Sequence, residues 1–459
     1  MIMIEILTVY SAFNIKISNN IYKELEQQSL LDIPDVPIFG LFITIIRSQV
    51  LDKWPIDIHG CLGYWKNDYN SMTKLEIIDK LKELAYDANY KDNRRNFFKS
   101  LQEDAGAKIE ISFMLLPRLE ILDGKVGNEN FNNDKYGLIV ESDVGRATYL
   151  PKVFHKIGWN DLRKSLMKKA GVNKGRFYGY RTKVIDIPIY DVLFSGESMK
   201  LLEIDIAKFY MDNYVSFIPY SVVGGSVNIE RGESVRNLGC IGDVIKFSGL
   251  YDFGDKIGLI KNNLDYYWGE YEKNPELYRQ ASAFMLEDYY LLGGYNDRVK
   301  IIVNYLYDKL DRLEPRFELG EVLKILAIVE PRRAELDRQL KRMGDRLGRL
   351  DVKLDDVFEL NWQAQFVREI GRKKHLGRIL DLLLGILGRV RGELETNYLA
   401  VIYECLSNIG SLIGSKKLKN NRLDYFIKLN SRRGENGLYY FIGMKEARLD
   451  ITGHVIFQP

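Results

Sequence analysis

The chain has little cysteine and little histidine: three cysteines, Cys61, Cys240 and Cys405, and four histidines in 459 residues. An odd and scattered set of cysteines cannot build a disulfide framework and is the usage of a reducing compartment. No Cys-x-x-Cys and no His-x-x-x-His occurs, so a zinc site has no ligand spacing to rest on, and His59, Cys61 and His155 would have to meet in space to give even three ligands. The glycine-rich run Gly171 to Arg181 lacks the Gly-Lys-Ser/Thr ending of a P-loop. No metal and no cofactor is expected.

Also missing is any stretch of about 18 uncharged apolar residues, and the opening MIMIEILTVYSAFNIKI carries Glu5 with neither a basic leader nor a small-residue cleavage site. A soluble, cytoplasmic protein is expected. The net charge of +3, from 66 basic and 63 acidic residues, does not in its overall balance call for a nucleic acid, whose footprint is a clustered basic excess. Neither nucleic acid nor membrane is expected as a partner. Abundant Lys, Glu, Ile and Tyr beside scarce Cys and His suits a thermophile.

What is present is length enough for two or three domains and, with 46% hydrophobic and 28% charged residues, a globular composition. Residues 2–9 (IMIEILTV) read as a buried strand and Asn20 to Leu31 as a polar helix. Gly40 to Ile46 reads as a strand, and DIHGCLGYW, from Asp57 to Trp65, as its antiparallel partner across a turn around Asp52 and Pro55. Lys74 to Asn89 has the helical period in Leu75, Ile78, Leu81, Leu84 and Ala85, and Lys108 to Leu116 alternates as a strand. The first 195 residues are α+β.

Within DIHGCLGYW, His59 and Cys61 stand two apart, on one face of a regular strand. An imidazolium beside a thiol lowers its pKa and makes a nucleophile, with His59 as base to Cys61. The other reading is a small buried hydrophobe between glycines that let neighbouring chain approach closely. Lys174, Arg176 and Arg181, in the glycine-rich run, are candidate anion-binding residues, with an ordinary loop as the alternative; Arg94 and Arg95, after Asp92 in KDNRRNFF, are binding candidates without an assigned ligand.

Ile58 to Gly63 (IHGCLG), Leu150-Pro151-x-Val153 with Gly158-Trp159, and the Lys169-Ala170-Gly171 turn occur in this order. Together with FGLFITI and RFYGYRTKVIDIP they resemble the AMMECR1 domain family, whose core motif reads Leu-Arg-Gly-Cys-Ile-Gly. The resemblance covers roughly Gly40 to Asp191. It implies a surface cleft at the Gly-Cys-x-Gly motif, and partners of the Memo-like or radical-SAM kind. His59 stands where the family carries arginine, and Asp92, Arg94 and Arg95 match its Asp-x-Arg-Phe stretch only loosely.

After Ser195 the patterns turn helical without strands, beginning with Leu201 to Tyr214. Helix-like segments start near Ile241, Ala281, Gly320, Glu359 and Tyr398, at steps of 40, 39, 39 and 39, with breaks at Gly254, Gly293–Gly294, Pro331 and Gly371. A constant step implies stacked helical hairpins, an α/α toroid or, alternatively, an open solenoid. The end, ENGLYYFIGMKEARLDITGHVIF, resembles the closing segment of six-hairpin toroids. Inner helices of a toroid would carry Glu287, Asp288, Tyr289, Tyr290, Trp362, Gln363 and Glu404, with Asp450 and His454 near the end. Carboxylates flanked by aromatics suit sugar binding or acid–base work on a glycosidic or isoprenoid substrate, with Glu287 and Trp362 as the binding candidates. The alternative is packing aromatics and solvent-facing acids. The apolar seam from Leu336 to Leu354, with Arg338, Lys341, Arg342, Arg346 and Arg349 on other faces, reads as a solvated outer helix, the alternative being an anion or nucleic-acid patch.

The layout expected is thus an AMMECR1-like α+β domain over residues 1–195 and an all-α hairpin-repeat domain over 196–459. Two classes of function follow. One is an enzyme or enzyme subunit acting on a small molecule through Cys61 and His59, with the helical half holding substrate; the other is a non-catalytic binding or scaffold protein.

Overall fold

The computed structural model describes residues 2–48, 58–66, 68–97, 101–121, 135–151, 158–254, 256–294, 296–314, 316–349, 353–443 and 445–455. The turn around Asp52 and Pro55, Val153, His155 and Leu350 lie outside them. The chain divides into two units, Met1–Ile15 with Asn20–Ser195, and Lys16–Asn19 with Gly196–Pro459.

The first unit comprises α1 (Ile2–Phe13), α2 (Asn19–Asp32), β1 (Ile38–Ile46), β2 (Ile58–Trp65), α3 (Lys74–Tyr90), β3 (Lys108–Ile121), β4 (Gly137–Glu141), β5 (Arg146–Tyr149), α4 (Trp159–Ala170), β6 (Arg176–Pro188) and α5 (Ile189–Leu193). Its sheet is antiparallel throughout, in the order β2-β1-β3-β6-β4-β5. α3 starts in a capping box, Thr73 accepting from the Glu76 N–H while Glu76 reaches back to the Thr73 N–H. It packs on α1, β1 and β2 through Ile77, Ile78, Leu81, Leu84, Ala85 and Ala88. Leu75, expected on that stripe, is 61% exposed. α4 lays Trp159, Leu162 and Leu166 on Leu138, Val140 and Phe177 of β4 and β6.

Residues 2–9 are not a strand: they belong to α1, whose Ile4, Ile6, Leu7, Val9, Tyr10, Ala12 and Phe13 are all buried. A helix enclosed on nearly every side carries no polar face, so its sequence loses the 3.6-residue period that separates it from a buried strand.

The second unit comprises α6 (Gly196–Asn213), β7 (Ser221–Val223), β8 (Ser226–Asn228), α7 (Ser234–Ser248), α8 (Lys256–Lys273), α9 (Ala281–Gly293), α10 (Asp297–Lys309), α11 (Phe317–Val329), α12 (Arg333–Leu347), α13 (Asp356–Glu369), α14 (Lys373–Leu387), α15 (Thr396–Gly410), α16 (Lys416–Asn430), β9 (Glu446–Arg448) and α17 (Leu449–Gly453). It is not strand-free, since β8, β7 and β9 form a small sheet. The β7–β8 hairpin turns at Gly224 and Gly225, both with positive φ. β9 pairs with β7 and so brings the last segment beside the first hairpin.

Alternate helices pack on one another in the order α7, α9, α11, α13 and α15. α17 then packs on both α15 and α7, which returns the series to its start. These inner helices are apolar on most faces: α15 alone buries Leu399, Val401, Ile402, Leu406 and Ile409, each worth about 1.5–3 kcal/mol of transfer free energy. The charged α12 instead buries Leu336, Leu340, Met343 and Leu347 on one side and pairs Arg338 with Asp311 and Arg346 with Glu359, the pattern of a solvated outer helix.

Candidate functional site

Cys61 lies on β2, an edge strand, directly opposite Thr44 of β1. Thr44 Oγ1 donates to Cys61 Sγ at 3.2 Å. The Cys61 N–H donates to Asp92 Oδ2 at 3.0 Å, and the Arg94 guanidinium donates to the Cys61 carbonyl at 2.6 Å and to the two Asp92 oxygens at 2.9 and 2.7 Å. The turn after α3 therefore satisfies both main-chain groups of an edge-strand residue. Burial opposes the Asp92 charge, yet these bonds hold its pKa below the usual carboxylate range.

His59 does not serve Cys61. The register shifts by one between Ile45 and Ile46, so that Ile45 faces Gly60 while Ile46 faces Ile58, and His59 is the extra residue of a bulge. The strand period of two, which would align the two side chains, is broken there. His59 Nε2 lies 3.1 Å from Asn89 Oδ1 at the end of α3. Gly60 is also turned to α3, where a Cβ would sit 1.9 Å from the Ala88 carbonyl oxygen; only glycine fits this approach. Burial lowers the His59 pKa, so the imidazole is neutral near pH 7. Burial pushes the Cys61 thiol up, against the Thr44 hydrogen bond and the Arg94 and Lys169 charges. The resting group at neutral pH is a thiol, not the thiolate a Cys–His pair would supply.

Lys169, in the last turn of α4, donates to the Thr148 carbonyl at 2.9 Å and stands 4.8 Å over the Tyr149 ring; burial lowers its pKa. The sequence patterns gave no reason to single out Thr44 or Lys169 as neighbours of Cys61. Arg95 is exposed in the turn that positions Arg94. Lys174 and Arg176 are exposed where β6 begins, Arg176 opposite Glu141.

Residues 11–192 match the family model AMMECR1. This part of the chain is an AMMECR1 domain. No curated protein matches the chain. Among solved structures, the uncharacterized protein PH0010 from Pyrococcus horikoshii is similar over 39% of this chain and 89% of its own length, at 17% identity and a TM-score of 0.26. The match to the AMMECR1 model leaves the helical unit outside it.

That unit holds a cavity of about 510 Å³, walled by α7, α9, α11, α13, α15 and α17. Six of the expected residues line it: Glu287, Asp288, Trp362, Glu404, Asp450 and His454. Three do not. Tyr289 packs outward, bonding the Leu264 carbonyl and Arg298; Gln363 is tied to Glu359; and Tyr290 is absent from the wall. The sequence reading missed Asp243, Lys246, Glu321, Lys324, Gln365 and the aromatic Phe284 and Phe358. Their signal is a polar or aromatic residue three or four positions from another on each inner helix, as in Asp243/Lys246, Phe284/Glu287, Glu321/Lys324, Trp362/Gln365 and Glu404/Asn408.

The wall keeps carboxyls of two kinds. Burial works against the Glu287 charge, but Lys324 at 2.8 Å and Lys246 at 3.5 Å bring its pKa down to about 2. Burial likewise opposes charge on Glu404, which His454 Nδ1 at 2.7 Å and Asn361 Nδ2 at 2.5 Å nonetheless hold below the usual range. Burial disfavours the His454 cation and Glu404 favours it more, leaving the imidazole pKa raised. By contrast, burial raises Asp243 to about 7 and lifts Asp288 and Glu321 well above their ordinary values. Gly453 is what lets Asp243 sit there, since a Cβ at 453 would lie 2.1 Å from its Oδ2. Among the described residues no group of three metal-ligating side chains could hold an ion, and no helix is long and apolar enough to cross a membrane.

Proposed function

We propose that the helical unit is a closed α/α toroid and that its central cavity is the active site of an enzyme, or enzyme subunit, that binds a small polar molecule and moves protons on it. Asp243 is the acid and the Glu404 carboxylate, paired to His454, is the base. The observation that carries this reading is the coexistence, on one cavity wall, of carboxyls held neutral by burial and carboxylates held ionised by cations. Environments that separate the pKa values of neighbouring titratable groups are how one site runs acid and base chemistry near pH 7. The packing of α17 on both α15 and α7 supports the closed ring, and a cavity of about 510 Å³ falls in the range of small-molecule sites.

For the AMMECR1 domain, a protonated thiol and a histidine engaged elsewhere favour binding over nucleophilic catalysis. We assign its Cys61 cleft to docking, with a Memo-like or radical-SAM protein as the partner class.

A thermal-shift screen of the full chain against sugars, nucleosides, amino acids and isoprenoid phosphates tests the cavity. The expected result is a ligand that raises the melting temperature of the wild type but not of Trp362→Ala. No shift with any compound, or shifts kept by Trp362→Ala and lost in Cys61→Ser, would overturn the assignment.

A further inference from the structure

The class of molecule follows from how the cavity's polar groups are already spent on one another, and rests on the cavity being a ligand site. Every cation on the wall has a protein carboxylate at hand. Lys324 and Lys246 share Glu287 at 2.8 and 3.5 Å. Arg236 meets Glu233 at 3.1 Å and Asp450 at 3.7 Å, Arg368 pairs with Glu369, and His454 pairs with Glu404 at 2.7 Å. A ligand carboxylate or phosphate would have to compete with one of these partners for its counter-charge.

Uncharged hydrogen-bonding capacity, by contrast, is left over. Asp288 Oδ2, Glu321 Oε1 and Gln365 Nε2 are buried with no protein partner, on residues that line the cavity and are 1%, 3% and 5% exposed. A bare hydrocarbon in this space would leave all three unmet, which is unfavourable for buried polar groups. A hydroxyl group both donates and accepts, so it serves a carbonyl-type oxygen, a carboxyl O–H and an amide N–H alike. The remaining wall is aromatic, with Trp362, Phe284 and Phe358, and Phe284 set edge-on to Trp362 at 5.7 Å. An aromatic face accepts the C–H side of a saccharide ring while the ring's hydroxyls reach the polar groups.

We propose that the cavity takes a neutral saccharide of one or two rings, packed by its C–H face on the aromatic wall at Trp362 and hydrogen-bonded through its hydroxyls to Asp288, Glu321 and Gln365.

Isothermal titration of the full chain with neutral monosaccharides and disaccharides, with glucuronate and with geranyl diphosphate tests this. The expected result is binding by at least one neutral sugar, weakened about tenfold or more by Trp362→Ala and by Glu321→Ala. Glu321→Gln, which keeps an uncharged donor and acceptor in place, is expected to bind within a few-fold of wild type and shows that the loss in Glu321→Ala is not misfolding. Binding of glucuronate or geranyl diphosphate without any neutral sugar overturns the saccharide assignment while leaving the cavity as a ligand site. A silent panel also overturns the saccharide assignment, and the library screen then decides whether the cavity falls with it. Sugar binding unaffected by both Trp362→Ala and Glu321→Ala overturns it as well.

Discussion

Replacing Asp243 with Asn gives a stability change whose dependence on pH follows chiefly from burial. In the folded chain burial raises this carboxyl from an ordinary 3.8 to about 7. Between those two values the unfolded chain releases the proton and the folded chain keeps it, so the folded state binds more protons and its stability falls as pH rises. The loss begins near pH 4 and is complete just above 7, where both states are ionised. A separation of this size amounts to on the order of 4 kcal/mol. Asn never ionises and keeps the shape, so Asp243→Asn should nearly match the wild type near pH 4, begin to exceed it by pH 5, and exceed it by about 4 kcal/mol above pH 7. Scanning calorimetry of both proteins from pH 4 to 8 reads this as a gap in melting temperature that opens to several degrees and then stays level. A gap independent of pH, or widest at pH 4, would refute the reasoning, because it would mean that Asp243 ionises in the folded state as it does in water.

Three further outcomes are expected. His454 has a folded pKa raised above its ordinary 6.5, so its pairing with Glu404 stabilises fully below that value and fades as pH rises through the folded pKa; His454→Gln should cost more stability at pH 6 than at pH 9, and equal costs by denaturant titration would contradict the pairing. Cys61, with its thiol pushed up by burial, should alkylate with iodoacetamide more slowly at pH 7.5 than a free model thiol, and a faster rate would restore the nucleophile. Arg94→Ala removes the forked contact with Asp92 and the bond to the Cys61 carbonyl; because the Arg94 side chain is 45% exposed, solvent screening limits the cost to about 1 kcal/mol, and a more stable variant would show that the contact is not formed.

Much of the fold was legible because it rests on local rules. Gly40 to Ile46 is rich in branched and aromatic residues, and it pairs antiparallel with Ile58 to Trp65, within the stretch expected as its partner. The even spacing of helix starts after Ser195 anticipated the hairpin series, and Gly254, Gly294 and Gly371 mark its breaks with positive φ. What failed was what depends on surroundings. α1 is enclosed, and enclosure erases the polar face that announces a helix. The His59–Cys61 pair was inferred from a period of two that a one-residue bulge cancels, and Gly60, the one local signal of a bulge, serves equally for a close backbone approach. In the cavity, Glu287, Trp362 and His454 could be named from chemistry at helix positions, whereas the i, i+3 pairs Asp243/Lys246 and Glu321/Lys324 also occur on solvated faces and are told apart from them when helices some forty residues apart in sequence face one space.

On this reading the working site lies in the cavity of the helical unit. The most direct test is a crystal structure of the full chain grown with the best ligand from the thermal-shift screen. Difference density is expected packed against Trp362 and within hydrogen-bonding distance of Asp243, Asp288 or Glu321. Density at Cys61 and Thr44 with the cavity filled only by water would contradict it.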